Sequence, residues 1–205
     1  MRLTPLRFPK GYTLMEMILV LVIISAILVG TFVLYPKIRD SAQSKEEVAL
    51  IKAVASEVRR LYPTGNYGPL TSGDLVGGSS LPEAYQAAPT DAANSAYGSV
   101  LSNRWGASIE VYPSQADGTP VAPSSTGNVP FFAVRYWGAN PGLCRAMVGQ
   151  LLNSAAAVLV DDGPVNAAVR TVKNAYTGVQ EDGSQTAAGC QDVSGVRPRI
   201  VIVSD

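Results

Sequence analysis

Histidine is absent from all 205 residues. With it go the Ser-His-Asp triad, the Cys-His dyad and every histidine-ligated metal site. The serine-rich stretches have no adjacent base to activate a nucleophile. Net charge is missing too: sixteen basic residues balance sixteen acidic ones, which gives no general reason to expect nucleic acid as a partner. There is no glycine-rich phosphate cradle and no basic stripe at helical spacing. The chain therefore reads as no enzyme, with no metal and no cofactor. Cysteine is scarce, with only Cys144 and Cys190. In an exported domain a disulfide between them is the default, closing a loop of about 45 residues and contributing about 2–4 kcal/mol. In a reducing cytosol the two remain thiols.

The hydrophobic share of 47% is enough for a packed core, but much of the surplus lies in one block. Met17 to Leu34 reads MILVLVIISAILVGTFVL, eighteen residues without a charge. As a helix this run is roughly 27 Å long, close to the hydrocarbon thickness of a bilayer. Ser25 and Thr31 can return their hydroxyls to the helix backbone. Before the block stand Arg2, Arg7 and Lys10 with no acid among the first eleven residues. That basic flank favours an N-in, C-out orientation, which Lys37 and Arg39 weaken without reversing. The rest of the chain is mildly acidic as a result.

A secretory signal is cut after its apolar region at a small-x-small site, and no convincing one follows Leu34. The informative feature lies in front: Lys10-Gly11-Tyr12-Thr13-Leu14-Met15-Glu16. Glu16 is an ionisable group at the lip of an apolar helix. Such a group costs about 2.5–3.5 kcal/mol at a bilayer centre and less near an end. Either it has a partner, or it snorkels to the headgroups beside a signal anchor. The motif resembles the type IV prepilin signature: a glycine, an aromatic or apolar residue, Thr-Leu, and a glutamate five positions after the glycine. That resemblance implies cleavage between Gly11 and Tyr12 by a prepilin peptidase, N-methylation of Tyr12 and retention of the apolar helix. It also implies that Glu16 of one subunit faces the N-terminal amine of a neighbour in the filament.

Beyond the block, Val48, Ile51, Val54, Val58 and Leu61 recur at three- and four-residue steps. Lys45, Glu46, Lys52, Glu57, Arg59 and Arg60 fall on other faces, so an amphipathic helix is expected on a globular body. Gly30 loosens the long helix, Pro36 kinks it or interrupts its hydrogen bonding, and Pro63 and Gly65 end it. Residues 63–100 read as a long loop with a short helical turn. Ser108–Tyr112 and Val129–Trp137 have strand character, with Asp117-Gly118 and 120–126 as the turn and loop between them. Leu143 to Leu159 has helical spacing through Met147, Leu151 and Ala155. Ile200–Val203 suits a buried strand. Tyr136 and Trp137 fit a core or sheet face. Asp161-Asp162-Gly163 and Glu181-Asp182-Gly183 lack the ligand spacing of a calcium loop and read as hairpin or loop turns.

The order Leu61-Tyr62, Tyr67-Gly68, Leu81-Pro82-Glu83-Ala84-Tyr85 and Asn103-Arg104-Trp105-Gly106 is similar to that of type IVb pilins. Two cysteines bracketing a C-terminal region match the same group. The eleven-residue leader is closer to type IVa, and Tyr12 is unusual at the first mature position, while the length beyond Gly11 favours type IVb. The resemblance implies an α+β pilin fold, with a long N-terminal helix packed on an antiparallel sheet and the last strand inside that sheet. It divides the chain into a cytoplasmic leader (1–11), a membrane and filament-core helix (12–36), an amphipathic continuation (37–62) and a globular domain (63–205). The disulfide would bound 144–190. Implied partners are further copies of the chain, the inner membrane, the peptidase and the pilus assembly machinery. Implied locations are the inner membrane first and the extracellular pilus afterwards. A minor pilin or type II secretion pseudopilin is the near rival. A single-span anchored periplasmic binding domain is the distant one.

Overall fold

The computed structural model describes residues 13–76, 81–89, 101–123, 127–161, 169–191 and 197–205. The chain divides into two compact units, Met1–Arg39 and Asp40–Asp205, and the first helix, α1 (Leu14–Leu61), has residues in both. In the first unit α1 stays helical through Gly30 and Pro36. Pro36 lacks one backbone donor, and the turns on either side carry the helix across the gap. Ser25 and Thr31 donate their hydroxyls to Val22 and Leu28 carbonyls at 2.9 and 2.8 Å, as their helical setting requires.

In the second unit the elements after α1 are β1 (Leu101–Ser102), β2 (Ser108–Ser114), β3 (Phe131–Tyr136), α2 (Pro141–Leu151), β4 (Ala157–Asp161), β5 (Arg170–Asn174), α3 (Gly183–Gly189) and β6 (Arg199–Ser204). Short 3-10 turns occupy Ser72–Leu75 and Glu83–Tyr85. The strands form one antiparallel sheet in the order β1-β2-β3-β6-β4-β5. The fold class is α+β. The chain's final strand, β6, sits inside the sheet, bonded to β3 through pairs such as Val134↔Ile202 and to β4 through Val158↔Ile202.

Period-2 alternation sends Ile109, Phe132, Val134, Val158, Ile200 and Ile202 toward one face. There Val48, Ile51, Val54 and Val58 of α1 join them in one core, together with Leu143 and Met147 of α2. Each such side chain contributes about 1.5–3 kcal/mol by leaving water. On the opposite face Tyr112, Leu159, Val201 and Val203 form a second cluster. Because both faces are covered, β4 and β6 are buried nearly end to end. That face also holds two buried charge pairs. Arg135 reaches Glu110 at 3.2 Å and stacks over Tyr112 at 4.9 Å. Arg199 bonds Asp161 and lies 4.7 Å over Trp137. Removing one partner of such a pair costs about 3–5 kcal/mol, since the other charge stays buried.

The Asn103-Arg104-Trp105-Gly106 landmark is the turn between β1 and β2. Asn103 Oδ1 accepts from the Trp105 and Ala107 amides, each at 3.0 Å, and its Nδ2 donates to the Trp137 carbonyl at 2.9 Å. The asparagine thus ties two loops together. Gly138 follows with φ +78°, and a Cβ there would lie 2.7 Å from that of Ala107, so glycine alone fits.

Several expectations need correction. Helix α2 stops at Leu151, and 157–161, read as the end of a helix through Leu159, is strand β4. Asn153 and Ser154 close the helix with local bonds, and the apolar run Val158-Leu159-Val160 pairs on both sides instead. Glu57, assigned to a solvent face, is only 2% exposed and takes Arg60 at 2.6 Å. Asp161 ends β4 where the chain turns toward its antiparallel neighbour β5, while Asp162 and Gly163 lie outside the described residues. Asp182 caps α3, accepting from the Ser184 amide at 2.8 Å. Strand β5 and helix α3 were not anticipated. The Asp117-Gly118 turn is present, with Gly118 at φ +85°.

Candidate functional site

The candidate site is the start of α1. Thr13 precedes the helix, and its hydroxyl accepts from the Glu16 amide at 3.3 Å while its carbonyl accepts from the Glu16 and Met17 amides at 3.1 and 3.2 Å. Thr13-Leu14-Met15-Glu16 thus has the spacing of a capping box, a signal present in the sequence but not used as such. Glu16 lies in the first turn, where the positive end of the helix dipole favours an anion. The cap satisfies backbone groups only. No hydrogen bond or ion pair joins the Glu16 carboxylate to another described residue, and its side chain is exposed. Gly11 and Tyr12, the proposed cleavage and methylation positions, lie outside the described residues, as do Arg2, Arg7 and Lys10.

From Leu14 to Phe32 the helix has a mean hydropathy of 2.6 over 19 residues, and none of it is buried. Leu14, Met15 and Phe32 are each nearly 80% exposed, and Leu21, Val22 and Ile27 on other faces also lie open. A helix apolar all round needs an apolar surrounding, either lipid or other helices. A lone carboxylate beside it needs a cation or the membrane–water interface. The arrangement offers an apolar surface able to associate with lipid or other helices, beside one exposed carboxylate.

The second unit brings Cys144 of α2 and Cys190, the C-cap of α3, into a disulfide with Cα atoms 5.6 Å apart. It also buries an acid that the sequence did not single out. Glu47 on α1 is fully buried, and the Tyr136 hydroxyl donates to its Oε2 at 2.8 Å. Its Oε1 has no partner among the described residues. Burial pushes the Glu47 carboxyl above its ordinary value, with the Tyr136 bond and Arg104 pulling the other way. Burial and the Glu47 charge push the Tyr136 hydroxyl up, so it remains the donor.

A raised carboxyl binds its proton more tightly in the folded state than in the unfolded one. Its contribution is present below the unfolded value and lost as pH rises through the folded one. Glu47→Gln, which keeps an acceptor for Tyr136, is expected to remove that slope. In thermal melts at pH 4 and pH 7.5 the variant should gain on the wild type as pH rises. A variant that fails to gain on the wild type between pH 4 and pH 7.5 would contradict the assignment.

No family model matches the chain, and no curated protein matches it. Among solved structures the chain is similar to TcpA, a type IV pilin from Vibrio cholerae El Tor biotype. The identity is 13% and the TM-score 0.48, over 80% of this chain and 99% of that one. It is also similar to a type IVb pilin from Salmonella typhi, at 16% identity and a TM-score of 0.32, over 72% of this chain and 97% of that one.

Proposed function

We propose that this chain is the precursor of a type IV pilin, a major filament subunit of the type IVb kind. In this reading a prepilin peptidase cuts between Gly11 and Tyr12, and the new Tyr12 amine is methylated. The subunit waits in the inner membrane as a single N-in span from residue 12 to 36. Residues 37–62 continue the helix into the globular domain at 63–205. On assembly the apolar helices leave lipid for one another, and because lipid is as apolar as they are, close side-chain packing rather than removal from water favours that step. Glu16 of an incoming subunit meets the Tyr12 amine of its neighbour, and that pairing sets register. The globular units form the outer surface of an extracellular pilus, so the partners are other copies, the inner membrane and the assembly machinery.

One observation carries the reading: a fully exposed apolar helix opens with a carboxylate that has no partner among the described residues, directly after a Gly-Tyr-Thr-Leu motif. Mass spectrometry of filaments sheared from cells tests it. The expected result is this chain as the dominant protein, beginning at methylated Tyr12. A mature chain that keeps Met1 overturns the reading and favours an anchored binding domain. A correctly cut chain that is scarce in the filaments makes it a minor pilin or pseudopilin.

A further inference from the structure

The stretch of α1 at 40–47 reads Asp-Ser-Ala-Gln-Ser-Lys-Glu-Glu, and Ala42 is the only apolar residue in it. Ala42 is exposed, and the buried side chains of the stretch are those of Ser44 and Glu47. The apolar core of the second unit takes up α1 only from Val48, followed by Leu50, Ile51, Val54 and Val58. Local stability follows buried apolar contact, so the two turns before Val48 are the less firmly held part of α1 in this unit.

What holds them is polar and lies on one face. Asp40, Ser44 and Glu47 stand at helical steps of four and three. The Ser44 hydroxyl accepts from the Gln150 side-chain amide of α2 at 2.6 Å, and Tyr136 donates to Glu47. Asp40 fills a notch at Gly142, in the first turn of α2, where the positive end of that helix favours a carboxylate. A Cβ on Gly142 would collide with Asp40 Oδ2, so the seat exists because that residue is glycine. The colliding atom is the tip of a side chain, so alanine there evicts the carboxylate and leaves the α2 backbone in place. Glu47 Oε1, buried with no partner among the described residues, offsets part of what the seated arrangement gains. The Glu46–Arg104 bridge at 2.7 Å is exposed on both sides and adds little.

We propose that residues 40–47 are a latch on α2, able to lift as a unit while the helix stays formed and the packing from Val48 onward persists. Seated, α1 parts from α2 at Asp40; released, it parts at Val48, about 12 Å further along the helix. The latch does not depend on the filament reading, because every residue in it belongs to Asp40–Asp205.

The test uses the full chain in phosphatidylcholine nanodiscs, with spin labels on noncanonical residues so that the disulfide is kept. One pair replaces Ala42 and Arg145, the other Ser56 and Arg145, all at exposed positions. Pulsed dipolar spectroscopy reads both distances. Gly142→Ala and Asp40→Ala are each expected to lengthen the 42–145 distance by about 5 Å, from a lever of about 9 Å beyond the pivot at Val48. The 56–145 distance should stay at its wild-type value. Gly149→Ala, on the same helix with open space around its Cβ, should change neither distance. A 42–145 distance unchanged in either variant, a 56–145 distance that lengthens with it, or the same response to Gly149→Ala would each overturn the proposal.

Discussion

Replacing Glu16 by alanine is expected to leave the precursor cut and membrane-inserted but nearly devoid of surface filaments. Insertion should survive because removing a carboxylate from the edge of an apolar helix only lowers the cost of entering lipid. Cleavage should survive because Gly11 and Tyr12 are untouched. Assembly should not. In the proposed filament the Tyr12 amine would be left buried without its counter-charge, and breaking one partner of a buried pair costs about 3–5 kcal/mol. At 1.4 kcal/mol per factor of ten, each subunit addition is weakened by more than about a hundredfold.

Glutamine at the same position separates two roles for Glu16. The Thr13 hydroxyl accepts from the backbone amide of residue 16, so Glu16→Gln keeps that bond. If capping α1 were the whole role, the glutamine variant would assemble normally. If charge sets register, it fails as alanine does. Filament counts by electron microscopy, with N-terminal sequencing of the same cells, read both steps. Abundant filaments in the glutamine variant would remove the charge from the mechanism.

The second large effect concerns the disulfide. Cys144→Ser combined with Cys190→Ser is expected to cost the folded unit about 2–4 kcal/mol through a less constrained unfolded chain. For a domain of this size that is a fall in melting temperature of roughly 5–15 °C. The loss should be greatest around α3, where Gly189 packs so tightly that a Cβ would lie 2.9 Å from Val160. Cys190 lies next to it and is fully buried with Cys144. Hydrogen exchange should therefore quicken first in 183–189, while β3 and β6 stay protected. A melting temperature unaffected by the double substitution would show that packing alone holds α3.

The features legible in the residues were those set by local pattern. The apolar run near the N-terminus, the amphipathic stripe from Val48 to Leu61, the Asp117-Gly118 turn and the final β-branched strand each announce themselves within a short window. Strand β4 did not. Val158-Leu159-Val160 follows a real helix at spacing that continues the helical pattern, and an apolar run of that length fits either structure. Its partners β5 and β6 settle the matter, and they lie at a distance along the chain. β5 was missed for a related reason: Arg170-Thr171-Val172-Lys173-Asn174 is an edge strand with mixed burial and little apolar content. Thr13 could have been recognised as a cap from its spacing to Glu16, since Thr-x-x-Glu before an apolar run is sufficient.

Burial of charge was beyond reach of the residues alone. Glu47 and Glu57 sit on α1 among other charged side chains, and helical geometry by itself places both within reach of solvent. Folding buries both, leaving Tyr136 of β3 to answer Glu47 and Arg60 to answer Glu57. Linear order alone was enough for the features that act one at a time: the uncharged run, the glutamate at its lip, the two cysteines. Which acids lie in the dark and which strand β6 pairs with depended on folding, since each is a property of surfaces that meet only when distant segments pack.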